Sequence, residues 1–513
     1  MGASGSSLLR PRSDQRTQQL LIALAAASGL AAAAPLGGWL ALGLALAGLA
    51  VFGVARIQWS DVCLGVVAAA CLRHTLYPVS RDLAGGILAA VLVGCILFWL
   101  VGGVAAVWRD PWKGHGLGVS LLALFLMGWS VLSFLAAPVH TSPSLRAAMA
   151  IPPVLLWVHW VLPTALCSRE HLERPLRWLV ALGGALSVLA LILYLHPLPL
   201  GAALMTGRFV LGPGVAAMTS LFHNPNVLGG VLVLCLLPSI YFWDRVPMGK
   251  ARRLYGLLLF LMVFVTLMTG NRSAYLGILV IALAVVWRRS RRGFLLACIA
   301  LALALIGLGA IARSELLLRL GLPGRVAQAK LARGMGMALL SQRQHVWAYA
   351  LKYIRRYPVL GVGPNNAMWA HTRNMLEPAY GRTHAHNTFL AMAEEMGLPA
   401  GAWLVIYLGA LAFALWRVRR LRPQRRELAN LGLLVLAVCF PRQMFEIMGP
   451  VGSLAPNDLL FMFFVGWGFS VALGPEAENA YPAPPRKPRF DALGGGSVAP
   501  GPTSRQRKST SRA

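Results

Sequence analysis

The feature that most constrains this chain is repetition: apolar runs close to the ~20 residues that span a bilayer as helix recur from Leu20 to Leu473. In hydrocarbon every backbone N–H and C=O needs a partner inside the protein, and a continuous helix supplies them within one segment. The composition agrees. Of 513 residues, 57% are hydrophobic and only 12% charged, against about 25% charged in a water-soluble protein. An all-α polytopic membrane protein is expected. A lone cleaved leader is excluded, because the runs continue along the whole chain.

Charge then sets the topology. Lys and Arg outnumber Asp and Glu by 47 to 17, a net charge of +30. Such an excess suggests nucleic acid, but no folded nucleic-acid module is visible, and multispan proteins hold their cytoplasmic loops with Lys and Arg. No nucleic-acid partner is expected. Clusters at Arg10–Arg16, Arg109–Lys113, Arg169–Arg177, Arg245–Arg253, Arg288–Arg292 and Arg417–Arg426 mark the cytoplasmic side. Between them, candidate spans fall near 18–34, 37–55, 61–78, 84–107, 116–137, 146–167 and 179–195. Another follows Asn226; later ones lie near 254–269, 273–287, 293–312, up to Leu415, 429–447 and 457–473. The expectation is 12–14 transmembrane helices with both termini cytoplasmic.

The chain divides accordingly into a cytoplasmic N-terminus (1–17), a transmembrane bundle (18–312), a large, partly helical external insertion (313–385), further transmembrane helices (386–473) and a basic, disordered cytoplasmic tail (474–513). All seven cysteines lie in or at the ends of apolar stretches with no zinc-type spacing, so neither a disulfide framework nor a cysteine metal site is expected. The loop 196–224, the Asn271–Arg272 turn and the insertion share the external face. The insertion is itself strongly basic, with only Glu315 and Glu377 as acids. Long translocated domains escape the positive-inside bias, and an anionic ligand such as a lipid phosphate gives this charge a purpose.

Four stretches on that face carry candidate chemistry. The first is "GRFVLGPG" followed by "FHNPNVLGG", in which Arg208 is a fixed cation and Asn224-Pro225-Asn226 a turn into a span. The second is "TGNRSAYLG", which places Arg272 in a tight turn; it either snorkels to headgroups or meets a substrate phosphate. The third is "SQRQHVWAYALKYIRRYPVLGVGPNN". A helix capped at Ser341 and stopped by Pro358 is expected, with Val346, Ala350, Leu351 and Ile354 on one face and a backbone turn at Gly361 and Gly363. Its Arg343 and His345 read equally well as surface helix residues. The fourth is "RTHAHNTFLAMAEEMGLPAG". Imidazole exchanges protons near neutrality, although a histidine at a helix start, His384 above all, is commonly a cap or interface residue. A helix starting at His386 would put Asn387 and Glu394 on one face and Glu395 elsewhere, with Glu394 about 10 Å deeper, too far for a direct dyad with His386.

Arg208 with "NPN" before a span, "NRSAYLG" in a tight turn, "R…W…P…GVG" and "HN…G" occur in that order over roughly 200–400. The ordered set resembles the O-antigen ligase and polymerase superfamily of bacterial membrane glycosyltransferases, and within it the ligases most. One departure is Gly397-Leu398-Pro399-Ala400, where the ligase motif usually ends in Gly-x-x-Gly. The resemblance implies an undecaprenyl-diphosphate-linked O-antigen donor, a lipid A–core acceptor, the bacterial inner membrane, a periplasmic site and an inverting mechanism. It implies no metal, nucleotide or other cofactor. The expected site has His386, Arg208 and Arg272 as catalytic groups, with Asn226, Arg343, Asn387 and His384 beside Arg208 and Arg272 as substrate-binding positions.

The residues suit that chemistry. Cleaving a glycosyl–diphosphate bond develops negative charge on the leaving group, which metal-dependent enzymes stabilise with a cation held by carboxylates. The insertion has no aspartate, and arginine forks at Arg208 and Arg272 can do the same work. His386 would take the proton from, or orient, the attacking hydroxyl. An O-antigen polymerase and a protein O-oligosaccharyltransferase use the same donor class and remain alternatives. A lipid or polysaccharide transporter is a more distant one, because transporters place charged sites near the bilayer midplane rather than at one face.

Overall fold

The computed structural model describes residues 65–71, isolated positions between 86 and 96, most of 117–300, and 343–367, 385–449 and 455–473. The spans expected before residue 65, most of those near 61–78, 84–107 and 293–312, the stretches 313–342 and 368–384, and the tail 474–513 lie outside the described residues.

Two helices form the centre: α4 (Pro225–Trp243) and α11 (Pro456–Leu473), apolar on every side and buried along nearly their whole length. A helix with no polar face has to be wrapped by protein or lipid, and these are wrapped by protein. Around them stand α1 (Leu117–Leu135), α2 (Ser142–Ala165), α3 (Arg169–Leu195), α5 (Lys250–Met268), α6 (Arg272–Arg289), α9 (Leu398–Leu421) and α10 (Arg426–Gln443). The outer helices turn large apolar side chains outward, among them Leu121 and Leu132 on α1 and Leu257 and Phe260 on α5. In water such a surface would aggregate; against lipid tails it is stable. Seven described helices (α1–α5, α9 and α11) are long and apolar enough to cross a membrane. The chain is an all-α polytopic membrane protein.

Short turns join α1 to α2, α2 to α3, α4 to α5, α5 to α6 and α9 to α10, and the longer loop 196–224 joins α3 to α4. The beginnings of α2, α4, α6, α9 and α11 and the ends of α1, α3, α5 and α10 therefore share one end of the bundle, termed here the motif end. Three local features differ from the sequence expectation. The loop 196–224 contains two antiparallel hairpins, β1 (Leu198–Leu200) with β2 (Ala203–Met205) and β3 (Arg208–Gly212) with β4 (Val215–Met218). Helix α3 begins at Arg169, so the basic cluster there forms its first turns rather than a loop. Within α2 the stretch Trp157–Val161 widens to a π-helix, in which Leu162 N–H donates to the Trp157 carbonyl. Pro163 has no N–H for the His159 carbonyl, which accounts for the register change. A Cβ at Gly466 of α11 would lie 2.8 Å from the Val158 carbonyl oxygen, so glycine allows α11 to pack directly on that segment.

The opposite end is tied by one carboxylate. Glu173 accepts from Arg169 (3.0 Å), Tyr241 Oη (3.0 Å) and Arg245 (3.2 Å), and Arg177 lies at 3.7 Å. Arg245 also donates to Tyr241 and pairs with Glu427, linking α3, α4 and α10. The Glu173 side chain is only 16% exposed. Glu173→Ala is expected to cost about 1–3 kcal/mol by leaving the Tyr241 hydroxyl without its acceptor and Arg245 without one of its two carboxylate partners. Thermal unfolding of the purified protein would show the loss, and an unchanged midpoint would contradict it.

Candidate active site at the motif end

Asparagine caps organise the motif end. Asn224 precedes α4 and accepts from Asn226 N–H at 2.9 Å, with Pro225 at the first helical position. Asn271 precedes α6; its Oδ1 accepts from Ser273 N–H (3.0 Å), Ala274 N–H (3.2 Å) and Ser273 Oγ (2.8 Å). Its Nδ2 donates to the Asn226 carbonyl at 2.9 Å, which bolts the start of α6 to the start of α4. Gly229 permits this approach, since a Cβ there would stand 2.9 Å from Thr269 Oγ1. Arg272 is thereby held as the first residue of α6, with an exposed side chain.

The third cap is Asn387, whose Oδ1 accepts from Leu390 N–H at 3.0 Å to open α8 (Thr388–Met396). The helix starts at Thr388, not at His386 as the sequence suggested. His386 stands outside it in a left-handed conformation (φ 47°), half-buried. Such a backbone is uncommon for a side-chain-bearing residue and is often kept at functional sites. Helix α7 (Arg343–Arg356) fixes this turn from one side, with Trp347 Nε1 donating to the Ala385 carbonyl at 2.8 Å. From the other side Thr388 Oγ donates to the Glu446 carbonyl (2.9 Å) and accepts from Met448 N–H (2.9 Å), just beyond α10. The inward face of α7 is Val346, Ala350, Tyr353 and Ile354; Leu351, assigned to that face from sequence, points out.

The Gly361-Val362-Gly363 turn supports α8 from below. Val362 N–H and Gly363 N–H donate to the Glu394 and Glu395 carbonyls (3.0 and 2.8 Å), and Leu398 N–H donates to the Pro358 carbonyl (2.8 Å). Trp129 Nε1 and Ser133 Oγ of α1 satisfy the Met396 and Glu395 carbonyls at 2.8 and 3.1 Å. Asn366 ties the same turn to the α1–α2 connection through Val139 and Thr141. These glycines therefore let two backbones cross at the base of the histidine turn.

Glu395 is buried there, accepting from Asn365 N–H at 2.8 Å. Burial pushes its carboxyl up to about 8, with neighbouring Glu394 adding to the effect and the backbone donors opposing it. The folded protein thus keeps a proton that the unfolded chain loses near pH ~4.3. This stabilisation is complete below ~4.3 and falls as pH rises towards 8. Glu395→Gln, which mimics the protonated group, should flatten that decline in melts between pH 5 and 8.5. A decline of unchanged slope would show that Glu395 does not titrate in this range.

Of the residues expected from sequence, the structure brings Arg272, Asn226, Asn387 and His386 to the same end. Asn387 spends its Oδ1 on a cap, and Asn226 lends its carbonyl to Asn271. Arg208 begins β3 and Arg343 begins α7, both placed by backbone; their side chains and His384 lie outside the described residues. Among the described residues no three His, Cys, Asp or Glu side chains converge to hold a metal. Sequence reading passed over Arg442, in the last turn of α10 and fully buried. A cation inside an expected span was the available signal.

No curated protein matches the chain. Residues 257–402 match a family model described as O-antigen ligase, a stretch that runs from α5 through the Arg272 turn, α7 and the His386 turn to the start of α9. Over residues 257–402 the chain is thus similar to the O-antigen ligase family.

Proposed function

We propose that this protein is an O-antigen ligase, which moves glycan from undecaprenyl diphosphate onto a hydroxyl of lipid A–core at the periplasmic face of the bacterial inner membrane. The observation that carries the reading is the placement of Arg272 and His386 at the same end of the bundle, inside the family-matched stretch. The basic loops at the opposite end, Arg245–Arg253, Arg288–Arg292 and Arg417–Arg426, support a cytoplasmic side there and a periplasmic motif end.

In this reaction the acceptor hydroxyl oxygen attacks the anomeric carbon from the face opposite the diphosphate, so the configuration inverts. The new C–O bond forms as the bond to the diphosphate oxygen breaks. The hydroxyl proton passes to the His386 imidazole. Charge gathering on the leaving diphosphate is met by Arg272 and Arg208, whose planar forks match phosphate oxygens without a metal ion. Arg343 and His384 lie along the same stretch as substrate-binding positions, and exposed Arg272 can reach a headgroup that stays in the membrane surface. Expression of the chain in a bacterium lacking its own ligase tests the reading. Lipopolysaccharide capped with O-antigen supports it. Accumulation of undecaprenyl-linked glycan with uncapped lipid A–core contradicts it.

A further inference from the structure

Beneath the motif end lies a group of polar side chains that the proposed chemistry does not use. Arg442 of α10 is wedged between α4 and α6: a Cβ on Gly230 would sit 2.9 Å from its Nη2, and one on Gly277 3.2 Å from its Cδ. Its guanidinium makes a single long hydrogen bond, Nη1 to the Gly230 carbonyl at 3.4 Å. Nε and Nη2 are buried with no hydrogen-bond partner. So are both amide atoms of the adjacent Gln443 and Oδ1 of Asn457, in the first turn of α11. Glu446 and Asp458 act on Arg442 through their charge.

A buried guanidinium lacking two of its hydrogen bonds is costly in any protein, and more so inside a membrane, where ionisable groups mark substrate paths. The two empty donors are not a random pair. Nε–H and Nη2–H point in parallel from one edge of the guanidinium, the edge that grips two oxygens of a phosphate. Gly277 lies five residues into α6 from Arg272, and Gly230 five into α4 from Pro225. Arg442 therefore sits about 7–8 Å below the helix starts, where the positive ends of both helices also favour an anion. The loop after α10 is bonded to Thr388 beside the His386 turn.

We propose that Arg442, with Gln443, forms an inner phosphate-binding subsite that takes oxygens of the donor's diphosphate below Arg272. This rests on the ligase reading above. Gln443 Nε2, also without a partner, offers a donor to an oxygen that Arg442 leaves, and Arg272 covers the outer phosphate.

The test measures binding of undecaprenyl diphosphate to the full-length protein in detergent, by ligand-induced thermal shift and direct titration. Wild type, Arg442→Gln and Arg442→Lys are compared, with phosphatidylglycerol as the competing phosphate source. Arg442→Gln should weaken undecaprenyl diphosphate binding about 10–100-fold without lowering the melting temperature of the ligand-free protein. Arg442→Lys, which keeps the charge and loses the fork, should weaken it by less and decides the matter if the glutamine variant fails to fold. Full affinity in the folded variants overturns the subsite. A fall in ligand-free stability with an undiminished ligand shift overturns it too, showing that Arg442 only braces the helices. An Arg442-dependent shift equally strong with phosphatidylglycerol overturns the assignment to the donor and gives the site to bulk lipid. Absence of binding by the wild type instead removes the ligase reading itself, and the subsite with it.

Discussion

His386→Ala is expected to lower turnover by about 10²–10⁴-fold while undecaprenyl diphosphate binding stays within a few-fold of wild type. The turn that carries His386 is fixed by its neighbours: Asn387 caps α8, Trp347 holds the Ala385 carbonyl, and Thr388 grips Glu446. Losing the imidazole removes a proton acceptor but none of these contacts. Arg272→Ala should behave differently, weakening donor binding and slowing the chemical step together, because the diphosphate is charged before and more so during bond cleavage. Arg272→Lys should recover only part of the loss, since an ammonium lacks the two-pronged geometry. Donor affinity in the inactive, folded variants separates the roles. If His386→Ala abolishes donor binding and Arg272→Ala leaves it intact, the two roles have been assigned the wrong way round.

Gly397→Ala should be as damaging, for a reason unrelated to chemistry. Gly397 has φ 84° and ψ 170°, a region essentially closed to residues with a Cβ. A Cβ there would lie 1.9 Å from the Val359 carbonyl oxygen, a backbone atom that cannot swing aside. Relief requires the crossing between the 358–366 turn and α8 to open, breaking the bonds of Val362, Gly363 and Leu398 to that crossing. A loss of about 4 kcal/mol or more is expected, seen as low yield of folded protein and increased proteolysis near residues 357–366. Gly409, in α9 with open space around its Cα, provides the control. Gly409→Ala should be nearly silent. A folded, active Gly397→Ala protein would contradict the described crossing.

What the sequence made legible followed from local physics. Apolar run length located α1, α5 and α11 to within a few residues, because a lipid-crossing helix must be long and uncharged. The Asn224-Pro225-Asn226 turn and the turn at Gly361 and Gly363 were readable because Pro, Asn and Gly restrict or free the backbone at their own positions. Contacts between distant residues were not readable. Trp129 meets Met396 and Ser133 meets Leu360 across 267 and 227 positions of chain, and nothing in either segment announces its partner. The same holds for Arg442, whose position against Gly230 depends on how α4, α6 and α10 pack. His386 was singled out for its chemistry, but its left-handed backbone is imposed by Trp347, Asn387 and Glu446 together. The hairpins at 198–218 were hidden by their brevity, with strands of three to five residues.

The most direct test of the central claim is reconstitution. Purified full-length protein is incubated with undecaprenyl-diphosphate-linked O-antigen and lipid A–core in the presence of a metal chelator, and both lipids are followed over time. Glycan-bearing lipid A–core is expected to appear in step with free undecaprenyl diphosphate, dependent on His386 and Arg272. Longer glycan chains still attached to undecaprenyl diphosphate, with lipid A–core untouched, would contradict it and identify a polymerase instead.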